Sequence, residues 1–284
     1  MILPPIVLYY IFRYIPMPGV MLGFQQYTIA GFRGWVGFDN FIQLFNTYYF
    51  WESFRNSWVF VAFEYIFLVP APIIFALLLN ELRVKWYKRT VQTISTLPHF
   101  ITWVVIAGIF IQLLSPSFGY VNMVIKALGG DAVAFLNKAS WFPWLFTFMR
   151  AWKQVGYGSI IYLAALSGID PQLYEAAVID GASRIRQTWH VTLPGIRNTI
   201  LVLFVLSFSG VLDGMFEPIF VLRNDMIRST AEVLDTYTYT LGILRGRFSL
   251  ATSVGLFKAL ISMVLLFTAN FLSKKVTEDR RSIL

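Results

Sequence analysis

Residues 170–195 read DPQLYEAAVIDGASRIRQTWHVTLPG, a charged, turn-interrupted stretch lodged between apolar runs long enough to cross a bilayer. Asp170 followed by Pro171 places an N-cap ahead of a proline at the first helical position, so a short helix is expected to start there. Leu173, Ala176, Ala177 and Asp180 recur close to helical spacing, which predicts a face of small residues against which another surface can pack. Gly181 supplies a breaker where a tight turn is needed, and Ser183 can cap a second short helix running to about His190. Leu193-Pro194 is expected to end it, with the next apolar run starting near Gly195. The stretch therefore reads as a helix, turn and helix lying outside the membrane, a docking element in a membrane protein.

Composition supports the membrane class independently. Hydrophobic residues make up 57% of the chain and charged ones 13%, with a mean hydropathy of +0.64. That is too apolar for an ordinary soluble domain. Apolar runs at roughly 2–24, 57–79, 94–114, 141–167, 195–216 and 250–273 each approach the ~20 residues that span hydrocarbon. The expected fold is an all-α integral membrane protein of about six transmembrane helices, one transmembrane domain over 1–284, with the 170–195 loop between spans four and five.

Orientation follows from the basic residues. With both termini cytoplasmic, the inner segments hold Arg83, Lys85, Lys88 and Arg89, then Arg184, Arg186 and Arg197, then Lys274, Lys275, Arg280 and Arg281. Arg33, Arg55, Lys126, Lys138, Arg223, Arg228, Arg245 and Arg247 fall outside, spread over more residues, so basic density is greater inside. The net charge of +8 is then topological, and nucleic-acid binding is not expected. Met1 adjoins the first apolar run without a basic flank, which points to a preceding cytoplasmic leader. Pro4, Pro5, Pro16 and Pro18, with no positive n-region, argue against a cleaved signal peptide.

Catalytic chemistry finds little support. Cysteine is absent and the only histidines are His99 and His190, so no thiolate or clustered-histidine metal site is expected. There is no G-x-x-x-x-G-K-[ST] phosphate loop, no nucleophile elbow and no paired-carboxylate pattern. The chain is expected to be a transport subunit and not an enzyme.

Glu175-Ala176-Ala177, Asp180-Gly181-Ala182 and Leu193-Pro194 resemble the "EAA" loop of binding-protein-dependent ABC importer permeases. In that family the loop forms a coupling helix seated in a cleft of the cytoplasmic ATPase. Gly37-Phe38-Asp39-Asn40-Phe41, followed by Asn56-Ser57, is similar to a pattern of sugar-importer permeases of the maltose-system type, with Ser57 where threonine is common. Trp152-Lys153, Gly156, Tyr162-Leu163-Ala164-Ala165-Leu166 and Ile169-Asp170 resemble the variant that takes up complex oligosaccharides, including uronates of the alginate type. The resemblance implies a second homologous permease, two ATPase subunits carrying ATP and magnesium, an extracytoplasmic solute-binding protein and a bacterial cytoplasmic membrane. It implies no cofactor in this chain.

Arg13, Glu64, Arg150, Lys153 and Lys258 lie in or near the apolar runs, where a charge is costly unless it meets water or a partner. One reading has these side chains snorkel or pair with Glu64. The other has Arg150, Lys153 and Lys258 line a wet path for an anionic sugar, with Glu64 beside them and Trp152 and Tyr157 as stacking surfaces. In the last outer segment Asp225, Glu232, Asp235 and Arg245 are candidate contacts for a binding protein. The competing classes are a permease for a neutral oligosaccharide, a secondary transporter and a membrane scaffold. A secondary transporter predicts an internal repeat, and none is evident between 1–140 and 141–284. A scaffold leaves the 170–195 loop unexplained.

Overall fold

The computed structural model describes residues 3–208 and 210–276, the side chains of 272–276 excepted. Of the C-terminal basic group, Arg280 and Arg281 lie outside the described residues, as do the side chains of Lys274 and Lys275.

A single 26-residue helix, Phe142–Ser167, forms the axis of the bundle. At 1.5 Å per residue it is about 39 Å long, enough to cross hydrocarbon about 30 Å thick. Leu3–Phe24, Tyr48–Glu81 and Phe248–Phe271 are both long and apolar enough to cross, whereas the axial helix, with Arg150 and Lys153 in it, has the length but is less apolar. The expected helical membrane architecture is present, but two of the six runs are not the continuous helices that hydropathy suggested. The third is split into Lys85–Phe100 and Trp103–Leu113, bent by 105°. Pro98 disfavours continuation of the helix, and Thr102 is extended ahead of the second piece. The fifth is Arg184–Gly195 followed by Arg197–Phe208 at 60°, and residues 210–215 are turns rather than the end of a span.

Leu193-Pro194 likewise does not end a helix as expected. Residues Thr188–Thr192 form a π-turn, and Leu193 N–H bonds to Thr188 O across it. The wider turn carries the chain past Pro194, and the break falls at Ile196 instead.

The sequence also gave no warning of a small β-hairpin. Strands β1, Gln25–Thr28, and β2, Gly31–Trp35, pair antiparallel after the first span. Gly31 holds φ +103 at the turn, a conformation open to glycine.

Side-chain amides lace the segments together. Asn40 Nδ2 donates to Gly23 O and Gln25 O, both at 2.9 Å, closing the exit of the first span. Asn56 Nδ2 donates to Ser229 O and Glu232 O at 3.0 Å, and Ser57 Oγ accepts from Leu234 N–H at 3.0 Å. The asparagines of the sugar-permease pattern thus satisfy backbone carbonyls, with the bonds to Gly23 O and Glu232 O buried. Phe60, Ile106, Phe142, Phe146 and Met149 form one core with Leu212, Met215, Ile219 and Ile227. Hydrogen bonds from Asn224 to Leu136 O and from Thr230 to Ala139 O hold the 210–247 segment at the N-terminal end of the axial helix. The 170–195 loop leaves its C-terminal end.

Candidate functional site

The loop after the axial helix is built by local rules. Asp170 Oδ1 accepts from Gln172 N–H at 2.9 Å, and Pro171–Ile179 is helical with proline in the first turn. At the far end Ala182 N–H bonds to Ala177 O (2.9 Å) and Gly181 N–H to Val178 O (3.0 Å), a Schellman closure with Gly181 at φ +73. Ser183 Oγ accepts from Arg186 N–H, and Arg184–Gln187 opens the second arm. Tyr174 Oη and Thr192 Oγ1, 3.1 Å apart, join the two arms.

No side chain of either arm helix is buried within this chain. Leu173, Val178, Ile179, Ile185 and Trp189 are all exposed, Ile179 by 86%. Outside the apolar spans, such side chains are free to meet another surface. Among the expected coupling residues, Glu175, Ala176, Asp180, Gly181 and Pro194 are exposed, and Ala177, Ala182 and Leu193 are half-buried. Glu175 and Asp180 form no ion pair among the described residues. One contact was not anticipated: Arg184 pairs with Glu81 at the end of the second span, at 3.0 Å.

The six candidates for a sugar path are not gathered into one site. Arg150 pairs with Glu64 across spans four and two. Lys153 donates to His99 O (2.9 Å) and to Ile101 O, the carbonyls released by the 105° bend. Tyr157 stacks on His99, ring centroids 3.8 Å apart. Trp152 faces a separate cleft of about 400 Å³ whose wall is Phe75, Val91, Ile94, Pro98 and Val155, apolar and unlike a sugar site. Lys258 pairs with both Asp213 and Asp235. Every cation of the set therefore has a partner within the chain. The expectation that they demand an anionic substrate loses its basis, because intramolecular oxygens already compensate them.

Two of the four docking candidates are also corrected. Glu232 is 8% exposed and bonded to Arg223, and Asp235 is held by Lys258, so both stabilise the fold. Asp225 and Arg245 are exposed.

The Arg150–Glu64 pair carries a prediction. Their side chains are 14% and 21% exposed, so removing one partner strands a poorly solvated charge. Arg150→Met is expected to cost about 1–3 kcal/mol in a detergent melting experiment, and adding Glu64→Gln should recover most of that loss. A double variant as unstable as the single one would contradict the pairing account.

Residues 68–278 match the family described as the binding-protein-dependent transport system inner membrane component. The chain belongs to this family. The permease is 40% identical to protein LplB of Bacillus subtilis over 98% of this chain and 89% of that one. It is 42% identical to the polygalacturonan/rhamnogalacturonan transport system permease protein YteP of the same organism, covering 98% and 88%. A bacterial ABC transporter involved in the import of the acidic polysaccharide alginate has a crystal structure that superposes with a TM-score of 0.92. Identity there is 39%, over 98% of this chain and 95% of that one. A second structure of an alginate transporter, in complex with an alginate pentasaccharide-bound periplasmic protein, gives the same score and identity. Membership of this family makes the chain a transport-system membrane component and not an enzyme.

Proposed function

We propose that this permease passes an acidic oligosaccharide through the bacterial inner membrane by alternating access. It works beside a second homologous permease, over two cytoplasmic ATPase subunits that hold ATP and magnesium, and beneath an extracytoplasmic solute-binding protein. The observation that carries the reading is the capped helix–turn–helix of 170–192, whose apolar side chains face outward at the end of the axial helix. Closure of the ATPases would move this loop, and the axial helix with it. Greater basic density on the loop's side supports a cytoplasmic placement for it and for both termini.

The sugar class rests on the relatives, since polygalacturonan and alginate both carry carboxylates. A neutral oligosaccharide is the second reading, favoured by the compensation of Arg150, Lys153 and Lys258 within the chain. ATP-driven uptake of a uronate trimer and of a neutral trimer, measured in vesicles holding the whole importer, decides between them. Uptake of the uronate at several times the neutral rate is expected, and equal or reversed rates would refute the acidic reading.

A further inference from the structure

The end of the bundle opposite the 170–195 loop carries a cleft of about 200 Å³, lined in part by Arg223, Arg228, Asp225, Glu232 and Thr240. Both arginines stand over aromatic rings. The Arg223 guanidinium lies 4.9 Å from the Phe220 centroid, and that of Arg228 lies 4.5 Å from the Tyr49 centroid. A guanidinium held over a ring is attracted by its π face and carries its N–H donors in a rigid fork. Carboxylates are the oxygen pairs that match this fork.

The two arginines differ in what they already hold. Arg223 Nη1 donates to Glu232 Oε1 at 3.2 Å and to Thr240 Oγ1 at 3.4 Å, which anchors its side chain. Among the described residues, Arg228 forms no ion pair. Asp225, exposed on the same cleft, is the opposing charge. Beside Arg223, Phe220 stacks on Phe216 with centroids 5.1 Å apart and meets Tyr239 at 5.2 Å, an aromatic shelf of the kind that takes sugar faces.

We propose that Arg228, assisted by Arg223, is a carboxylate-binding site at the mouth of the permease, which takes one uronate of the incoming chain while the Phe216–Phe220–Tyr239 shelf takes the neighbouring ring. The site rests on the acidic-oligosaccharide reading above. It places a guanidinium without an ion pair among the described residues at the entrance, whereas the span residues Arg150, Lys153 and Lys258 are each held by partners.

The test is binding of trigalacturonate and of its fully methyl-esterified form, which has the same rings without the charges, to the assembled importer in lipid nanodiscs free of binding protein. Wild type is expected to prefer the acid, and raising the salt should erode that preference. Arg228→Gln should weaken the acid about tenfold and leave the ester unchanged, since a charge-assisted bond is lost. Arg228→Lys should keep part of the affinity, and Asp225→Asn should raise it. Arg228 has no carboxylate to abandon, so a melting temperature close to wild type is expected for its variants. Unchanged acid affinity in Arg228→Gln overturns the site. Equal loss of acid and ester also overturns it, and assigns the patch to general docking. Binding of neither sugar by wild type overturns the site, whereas binding of the ester as well as the acid means that the acidic reading of the permease itself is what fails.

Discussion

Gly181→Leu and Glu175→Lys are each expected to abolish substrate-stimulated ATP hydrolysis by the assembled importer. Sugar affinity of the separate binding protein should stay unchanged. Gly181 sits at φ +73 and closes the Schellman turn between the arms. A branched side chain there costs roughly 1–2 kcal/mol in the backbone alone, and the turn has no buried neighbours to enforce it. The expected outcome is unwinding of the turn, which misplaces Asp180 and Ala182 together. Glu175 is exposed and unpaired among the described residues, so its inversion strains nothing inside this chain. Its effect must come from a surface elsewhere. Gly181→Asn is the companion variant, because asparagine tolerates positive φ, and it should retain much of the stimulation. Normal stimulated hydrolysis in both disruptive variants would reduce the loop to an unpartnered surface element.

Gly156→Ala is expected to remove most folded protein from the membrane. A Cβ built on Gly156 would stand 2.1 Å from Ser95 O and 2.8 Å from Thr96 N, both backbone atoms of the helix Lys85–Thr96. No rotamer change relieves a clash with backbone, so the two helices must separate and open the packing along their length. Overpacking of cores costs about 1–3 kcal/mol where side chains can yield, and here they cannot. Gly158→Ala meets the Pro72 side chain at 3.2 Å and should be much milder, while Gly108→Ala meets nothing within 4 Å. The ranking is read from the yield of monodisperse protein and its melting temperature. Wild-type behaviour of Gly156→Ala would show that the close approach of these helices is not held in the membrane.

What could be read from the chain alone was what depends on near neighbours. The caps at Asp170 and Ser183 and the turn at Gly181 are local devices, and each sits where its residue type predicts. The apolar runs gave the helical membrane fold because hydrocarbon leaves the backbone few alternatives. Hydropathy, however, registers apolarity and not direction. Residues 94–114 looked like one span although Pro98 stands inside it, and 195–216 looked continuous although its helix ends at Phe208. The partners of the intramembrane charges were harder still. Glu64 was singled out, but nothing local distinguishes pairing with Arg150 from lining a wet path, and Asp213 and Asp235 come from segments remote from Lys258. The hairpin escaped because its strands are short and its glycines read as an ordinary loop.

The capping of the third span by Lys153 bears on how the bundle can move. The bend leaves the carbonyls of His99 and Ile101 without helical donors, and in a water-poor setting they need another. The ammonium that serves them belongs to the axial helix, and it also sits at the negative end of the first half-helix dipole. Straightening the bend, or sliding one helix along the other, would strand two carbonyls and a cation at once. Gly156 locks the same pair of helices a turn further along. Spans three and four therefore behave as one rigid block, a lever whose short arm ends at the 170–195 loop, and the strokes of a transport cycle must be taken up at its boundaries with the other spans.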